Sequence, residues 1–185
     1  MKHSKTSKLL VLMICIAIGF LAIAFLFKAI ANSKGQPWMA LYITFLTISY
    51  HFIMRLAVGE VVTIIYKNRN FNGNSFGFKI RPFETKLYKF LKVKKWKANA
   101  LTAKPEQFDL RSNSFKDILH NVMQAELVHR IIMVLSFLPL LLIIPYGAPA
   151  VFIVTSIFAC FIDSKFVIIQ RFNRPRIQKV MERKA

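Results

Sequence analysis

Leu9 to Phe27 reads LLVLMICIAIGFLAIAFLF, an unbroken run of 19 uncharged and mostly apolar residues. A helix rises about 1.5 Å per residue, so a run of this length covers the ~30 Å hydrocarbon core of a bilayer. A cleaved signal peptide is the alternative, since the run follows a basic start and Ala29–Ala31 resembles a cleavage site. The apolar core of a signal peptide is only roughly 7–15 residues long. We therefore favour a retained membrane helix over residues 9–31.

Three further apolar stretches complete the pattern, at residues 38–66, 123–144 and 150–169. Residues 32–37, which are rich in turn-forming residues, lie between the first and second stretches. Residues 145–149, of the same kind, lie between the third and fourth. The sequence therefore predicts an all-α, polytopic membrane protein with about four transmembrane helices and cytoplasmic amphipathic helices. We expect a single membrane domain over residues 1–185.

The charge of the chain is as extreme as its hydrophobicity, with 27 Lys+Arg against 8 Asp+Glu and a hydrophobic fraction of 55%. Most of the basic residues lie at the N-terminus, in the segment 67–122 and in the tail from Arg171 onward, whereas the two short loops hold one lysine between them. The positive-inside rule then predicts a multi-pass protein of the cell membrane with both termini and segment 67–122 in the cytoplasm. A nucleic-acid partner is disfavoured, because the basic residues flank membrane-length apolar runs.

Two amphipathic helices are predicted outside the membrane. Residues 81–97 read RPFETKLYKFLKVKKWK, in which apolar residues recur every three or four positions among lysines. That spacing predicts a basic helix lying on the membrane surface. The second helix begins near Ser114, because Ser114 and Asp117 have the spacing of a capping box.

Ionisable side chains at membrane depth cost a few kcal/mol, so each needs a partner or a function. His51 and Arg55 are four residues apart and share one helix face. One interpretation is that they lie near the cytoplasmic interface and extend their polar ends into water. The other is a polar wall that faces the interior of the helix bundle.

Glu126 and His129 form a Glu-x-x-His pair on one face of the third apolar stretch. A histidine at such a place can act as a general base, with a carboxylate that stabilises the imidazolium. The alternative is the start of a helix at the interface, with both side chains in water. A metalloenzyme that also uses His51 and His120 is a third possibility, although carboxylate-bridged metal sites need further glutamates.

Asp163 and Lys165 interrupt the last apolar stretch, which ends in QRFNRPR at residues 170–176. Guanidinium groups match phosphate and carboxylate oxygens, so this segment can bind an anion. It can equally serve as a positive-inside anchor. Pro175 predicts that the chain leaves the helix in an extended conformation from Asn173 onward.

Taken together, AELVH at 125–129, the short apolar hairpin, IIQRFNRPR at 168–176 and VKKWK at 93–97 resemble the glycosyl-4,4'-diaponeurosporenoate acyltransferase family. These are small membrane proteins of Gram-positive bacteria. The resemblance runs from about Ile43 to Gln178. It implies a membrane acyltransferase that moves a fatty acyl group onto a hydroxyl of an amphiphilic acceptor, such as a glycosylated carotenoid or another glycolipid.

The resemblance also implies candidate site residues, for which we infer roles. His129 is the expected general base and Glu126 its orienting carboxylate. The expected substrate-binding residues are Arg171, Asn173, Arg174, Arg176, Trp96 and Lys97, to which the polar wall adds His51 and Arg55. Among these, Arg174, Arg176 and Lys97 are expected to hold an anionic acyl donor such as acyl-CoA. Asn173 or Arg171 is expected to stabilise the oxyanion.

Neither a metal nor a bound cofactor is expected, so the acyl donor is a cosubstrate. The expected partners are membrane lipids, a fatty acyl donor and a lipid or glycolipid acceptor. The alternative function is a non-enzymatic lipid-binding or accessory membrane protein, in which residues 81–97 and the basic tail bind anionic headgroups.

Overall fold

The computed structural model describes residues 8–34, 36–67, 71, 75, 77–97 and 105–184. The α-helices of these residues are α1 (Lys8–Lys34), α2 (Gln36–Tyr66), α3 (Pro82–Phe90), α4 (Val93–Trp96), α5 (Phe115–Leu135), α6 (Ile143–Tyr146) and α7 (Pro149–Lys184). Two short 3₁₀ helices, Pro105–Phe108 and Leu138–Leu142, accompany them. The described residues contain no strand, which confirms the prediction of an all-α fold.

Four helical stretches are long and apolar enough to cross a membrane, namely Lys8–Ser33, Pro37–Tyr66, Phe115–Tyr146 and Pro149–Arg183. The predicted number of transmembrane helices is therefore confirmed, and the chain is a multi-pass membrane protein. The third stretch begins at Phe115 rather than at residue 123, and the fourth continues well past residue 169. Both helices extend into polar sequence because side chains there pair with one another, as described below.

Helix α7 passes through Pro175 without ending. The predicted extended exit from Asn173 onward was therefore wrong. A proline inside a helix costs ~3 kcal/mol, because it has no N–H for the carbonyl four residues earlier. On the same turns, Arg171 and Arg174 make buried ion pairs that favour the helical arrangement.

The third apolar stretch is not one continuous α-helix. Helix α5 ends at Leu135, the 3₁₀ helix Leu138–Leu142 follows, and α6 ends at Tyr146. Gly147 has a φ of 66° and Ala148 a φ of 52°, so the chain reverses through left-handed backbone before α7 begins. The sequence predicted this turn at 145–149 but not the change of helix type before it.

Residues 81–97 do not form the single amphipathic helix that the sequence predicts. Helix α3 ends at Phe90, and Lys92 adopts a left-handed conformation with φ 51° and ψ 38° before α4 begins. The face that α3 buries carries Glu84 and Tyr88, while Phe83 and Phe90 are 57% and 81% exposed. The expected apolar stripe therefore points away from the protein, and a polar pair points into it.

The chain divides into two compact units, Met1–Gly59 with Ile131–Ile162 and Glu60–Arg130 with Asp163–Ala185. In the first unit, Ala24, Tyr42, Ile43 and Phe152 form a buried cluster. Aromatic stacking adds to it, since the ring centroids of Phe27 and Phe45 lie 5.5 Å apart. The single membrane domain stays a prediction.

The second unit contains the start of α5, where the predicted capping box is confirmed. The backbone N–H of Ser114 donates to Asp117 Oδ2 at 3.1 Å, and the backbone N–H of Asp117 donates to Ser114 Oγ at 3.2 Å. The following residues Ile118, Val122 and Met123 are buried. The cap and this buried face fix the helix that carries Glu126 and His129.

Candidate functional site

Arg171 is the centre of a buried network in the second unit. Its Nε and Nη2 donate to the two carboxylate oxygens of Glu84 at 2.7 and 2.6 Å, and its Nη1 donates to Glu126 Oε1 at 2.6 Å. The remaining bonds go to the backbone carbonyls of Lys79 at 3.0 Å and Gly77 at 3.4 Å. A guanidinium has five N–H donors, and these contacts use all of them. Arg171 therefore joins α3, α5 and α7 and has no donor left for a substrate.

Glu126 is fully buried and faces three arginines. Besides Arg171, its Oε2 lies 3.2 Å from Arg174 Nη1, and its Oε1 lies 3.1 Å from Arg130 Nη2. A buried carboxylate needs such compensation, because desolvation of an unpaired charge costs several kcal/mol. The structure shows no hydrogen bond between Glu126 and His129. Glu126 was expected to orient His129, but its contacts indicate that it pairs with arginines instead.

Arg174 is 1% exposed and belongs to the same network. It donates to the carbonyl oxygen of Phe78, and its guanidinium lies over the Phe78 ring with Cζ 5.5 Å from the centroid. Together with the ion pair to Glu126, these contacts surround it with protein groups. The sequence placed Arg174 at the acyl donor, whereas the structure places it inside the fold.

His129 has a different carboxylate partner, Asp163 of α7, whose Oδ1 lies 2.8 Å from His129 Nδ1. Asp163 is 1% exposed, whereas 23% of the His129 side chain is accessible. The imidazole stacks on Phe166 with 4.6 Å between ring centroids and 10° between planes. If Nδ1–H donates to Asp163, the lone pair of Nε2 is left to accept a proton. Asp163 thus takes the position that the sequence assigned to Glu126.

Glu84 and Tyr88 are members of the network that the sequence analysis did not single out. The Tyr88 hydroxyl donates to Glu84 Oε2, and the backbone N–H of Arg81 donates to Glu84 Oε1 at 2.9 Å. Burial favours the neutral acid, but the hydrogen bonds from Arg171, Tyr88 and Arg81 outweigh it and lower the pKa of Glu84 to about 2. Burial and the adjacent carboxylate raise the pKa of the Tyr88 hydroxyl. The available signal was that Glu84 is the one acidic residue in 81–97.

Three other predicted residues gather around Phe172. Lys97 Nζ donates to Asn173 Oδ1 at 2.7 Å and lies 5.1 Å from the centroid of the Phe172 ring. The guanidinium carbon of Arg176 lies 3.8 Å from the same centroid, a cation–π contact. Burial, followed by the positive charges of Arg176 and Lys94, lowers the pKa of Lys97. These contacts bring Lys97, Asn173 and Arg176 together, and their expected binding of substrate stays a prediction.

Trp96 has a local role, because its indole Nε1 donates to the carbonyl oxygen of Leu91 at 2.9 Å. This bond closes the turn between α3 and α4. The contacts of Trp96 therefore indicate support of that turn, and its expected contact with substrate stays a prediction.

His51 and Arg55 lie in the first unit. His51 is buried, and its ring meets the Tyr50 ring edge-on with centroids 5.4 Å apart. Arg55 donates to the carbonyl oxygens of His51 at 2.8 Å and Ala159 at 3.3 Å. These contacts favour a polar wall inside this unit over side chains that reach into water. Substrate binding by either residue stays a prediction.

Two pockets lie beside Arg171 in the second unit. One, of roughly 430 Å³, combines the apolar side chains Phe83, Leu87 and Ile168 with the polar Glu84 and Tyr88. The other, of roughly 460 Å³, has the cationic side chains Lys89, Lys92, Lys94, Lys95 and Arg176 in its wall. We call the second one the basic pocket. The second unit therefore presents one mixed apolar and polar pocket and one strongly cationic pocket.

The protein family described as glycosyl-4,4'-diaponeurosporenoate acyltransferase matches residues 64–183. The match covers more than half of the chain and runs from the end of α2 almost to the end of α7. The chain belongs to this family. The family's description names an acyltransferase, so the chain is an enzyme of that class, and the family is bacterial. No curated protein and no solved structure gives a significant match.

The glycosyl-4,4'-diaponeurosporenoate acyltransferase match contains most of the site. We call Arg130, Arg171, Arg174, Glu84 and Glu126 the arginine–glutamate network. Both this network and the His129–Asp163 pair lie inside residues 64–183. His51 and Arg55 lie outside it. The region that defines the family is therefore the region in which buried charged side chains converge.

Three of the four members of this acyltransferase's candidate metal set, His120, Glu126 and His129, are engaged with other groups. His120 packs on Phe71 with 5.1 Å between ring centroids, Glu126 pairs with arginines, and His129 contacts Asp163. Across the described residues, no three His, Cys, Asp or Glu side chains are arranged to hold a metal ion. This part of the structure therefore gives no support to the metalloenzyme hypothesis.

Proposed function

We propose that this acyltransferase moves a fatty acyl group onto a hydroxyl of an amphiphilic acceptor, such as a glycosylated carotenoid or another glycolipid. The observation that carries the proposal is His129, an accessible imidazole held by a buried carboxylate. The reaction takes place at the cytoplasmic face of the membrane, with both termini on that side. The charge asymmetry of the sequence supports this orientation.

His129 is the general base. Its Nδ1–H donates to Asp163, so its Nε2 accepts the proton of the acceptor hydroxyl while the hydroxyl oxygen attacks the acyl carbonyl carbon. The resulting imidazolium is stabilised by Asp163. When the tetrahedral intermediate collapses, Nε2 returns the proton to the leaving group. An ester bond to the acceptor forms and the bond to the donor breaks.

Asn173 is the expected oxyanion donor, but it lies ten residues after Asp163 on α7, which is about 15 Å of helix rise, so it does not reach the carbonyl that His129 serves. The Lys97 ammonium is a donor only, so its bond to Asn173 requires the amide oxygen at that position. The amide NH₂ of Asn173 is thereby oriented away from Lys97 and can donate to a polar group of an acyl donor bound near the basic pocket. Arg171, the other expected oxyanion donor, has its five N–H groups committed to protein oxygens.

The arginine–glutamate network positions these groups without contacting the substrate. Arg171 connects α7 to Glu84 of α3 and Glu126 of α5 through charge-assisted bonds of 2.6–2.7 Å. Asp163 and Asn173 are carried by the same helix as Arg171, and His129 by the same helix as Glu126. The network therefore holds the two catalytic helices in register.

The test is lipid analysis of a strain that lacks the gene and is complemented with wild-type or variant protein. The acylated lipid that appears with the wild type identifies the product by mass spectrometry. His129→Ala is expected to lower its amount by about 10²-fold or more, because the general base is lost. His120→Gln, a histidine of the same helix outside the site, is the matched control and should leave the product unchanged. Normal product from His129→Ala at equal protein level would contradict the proposal.

A further inference from the structure

None of the described residues that line the basic pocket is acidic. Five of its described cations form no ion pair with Glu84 or Glu126, namely Lys89, Lys92, Lys94, Lys95 and Arg176. The other described lining residues are Ile80, Thr85, Tyr88, Phe172, Pro175 and Arg171, which pairs with Glu84 and Glu126. The lysines come from the end of α3, the turn and α4, whereas Arg176 comes from α7. Five cations facing one pocket repel one another, and an anion in the pocket would relieve that repulsion.

These five cations of the basic pocket differ from the neighbouring arginines in having no carboxylate partner among the described residues. Arg171, Arg174 and Arg130 all pair with Glu84 or Glu126. Among the described residues, none of Lys89, Lys92, Lys94, Lys95 and Arg176 lies in an ion pair with a carboxylate. Uncompensated positive charge also acts on Lys97 next to the pocket, as its lowered pKa shows, after the larger effect of burial.

The backbone places these lysines at a cost. Lys92 has a φ of 51°, a conformation that glycine or asparagine adopts more readily than lysine. Such left-handed residues are energetically unfavourable and concentrate at functional sites. The turn redirects the chain so that Lys89 before it and Lys94 and Lys95 after it line the same pocket. The bond from Trp96 to the Leu91 carbonyl closes this turn.

We infer that the basic pocket binds the phosphate groups of a coenzyme A thioester, the acyl donor of the reaction. Lysine ammonium groups bind phosphate as mobile point charges, and the Arg176 guanidinium offers paired N–H donors to a second phosphate. Coenzyme A carries a diphosphate and a separate ribose phosphate, which suits several cations spread around one pocket. The acyl end is then left for the region of His129.

This inference rests on the proposed function and deepens it. It replaces the expected donor residue Arg174, which is buried, with Lys89, Lys92, Lys94 and Lys95. It retains Arg176. The phosphate site is thereby assigned to the α3–α4 turn, which the sequence predicted as part of a basic helix on the membrane surface.

The experiment measures coenzyme A binding, without turnover, to the full chain in nanodiscs of zwitterionic phosphatidylcholine. The variant Lys89→Gln/Lys94→Gln/Lys95→Gln is expected to raise the Kd by about tenfold or more, since each phosphate contact is charge-assisted. The control variant Arg111→Gln/Lys116→Gln/Lys179→Gln removes three exposed cations outside the pocket. Its Kd should stay within about twofold of the wild type.

The variant Lys92→Gly distinguishes the effect of the lysine charge on binding from an effect on folding. Glycine accepts the left-handed backbone, so the thermal midpoint should not fall, while the loss of one cation should weaken coenzyme A binding. Among ligands, dephospho-coenzyme A should bind more weakly than coenzyme A, and pantetheine should not bind measurably. Equal Kd values for the pocket and control variants, or equal affinity for all three ligands, would overturn the inference.

Other anions with the same chemistry give different results. If the pocket variant kept its affinity for coenzyme A but lost affinity for phosphatidylglycerol vesicles, the lysines would serve the lipid surface and the inference would fail. Charge-dependent binding of an acidic acyl carrier protein without binding of coenzyme A would also overturn it. If the protein acylated lipid but did not bind coenzyme A, the role of the basic pocket would be refuted and the proposed function would stand. Coenzyme A binding together with normal product from His129→Ala would refute the proposed base alone.

Discussion

At the scale of single residues, two buried carboxylates of the second unit have separate tasks. Asp163 contacts His129, and Glu126 contacts arginines. The sequence analysis recognised both as acids at membrane depth that need partners, because the cost of burial is a local property. The sequence does not identify the partners, because they lie far apart along the chain. Asp163 is 34 residues from His129, and Arg171 is 45 residues from Glu126. Helical spacing favoured Glu126 for His129, and packing between helices decided otherwise.

Glu84 gives a prediction at this scale. Glu84→Gln leaves Arg171 with one carboxylate instead of two, and removal of one partner from a buried pair costs about 3 kcal/mol. The thermal midpoint in detergent should therefore fall. Glu106→Gln, which changes an exposed acid, is the matched control and should leave the midpoint unchanged. Equal midpoints for the two variants would contradict the structural role of Glu84.

The same residue makes stability depend on pH. The folded-state pKa of Glu84 is about 2, below its ordinary value of 4.5, so the stabilisation is fully present above about pH 4.5. It is lost as the pH falls from there towards 2, because the unfolded chain then binds the proton first. Thermal midpoints measured across this range should fall more steeply for the wild type than for Glu84→Gln. Parallel curves would contradict the assignment.

At the scale of elements, the α3–α4 segment differs most from its sequence prediction. The periodicity of 81–97 is real, since Phe83, Leu87 and Phe90 share one face, and this face is exposed in the structure. The break at Lys92 was not predictable, because lysine is a good helix former and nothing local marks a left-handed residue. The course of α7 through Pro175 was missed for a related reason, since ion pairs with distant residues outweigh the local preference of proline.

The exposed face of α3 should lie in the membrane interface. In a Cys15→Ser/Cys160→Ser background, Phe90→Cys labelled with an environment-sensitive fluorophore is expected to show blue-shifted emission when lipid is present. Lys89→Cys lies on the same helix and is also exposed, but it faces the basic pocket rather than the side of Phe90, so its label should report water. Emission typical of water at both positions would contradict the surface location of α3.

At the scale of the whole molecule, hydropathy was sufficient to predict four membrane helices and an all-α fold. Long apolar runs have few other stable conformations, because lipid offers no hydrogen-bond partners to the backbone. The family match covers residues 64–183, which include α3 to α7 almost completely. What the sequence left open was the pairing of charges within that region. Those pairings determine which residues support the fold and which remain for chemistry.

The central claim is that His129 acts as a base held by Asp163, and Asp163→Asn tests it most directly. Incorporation of a labelled fatty acid into the product lipid is followed in the complemented strain, with the thermal midpoint and coenzyme A affinity of the purified variant as checks on folding. The account predicts that the rate of incorporation falls by about 10²-fold or more while both checks stay near the wild type. A variant that is folded, binds coenzyme A and incorporates label at the wild-type rate would contradict it.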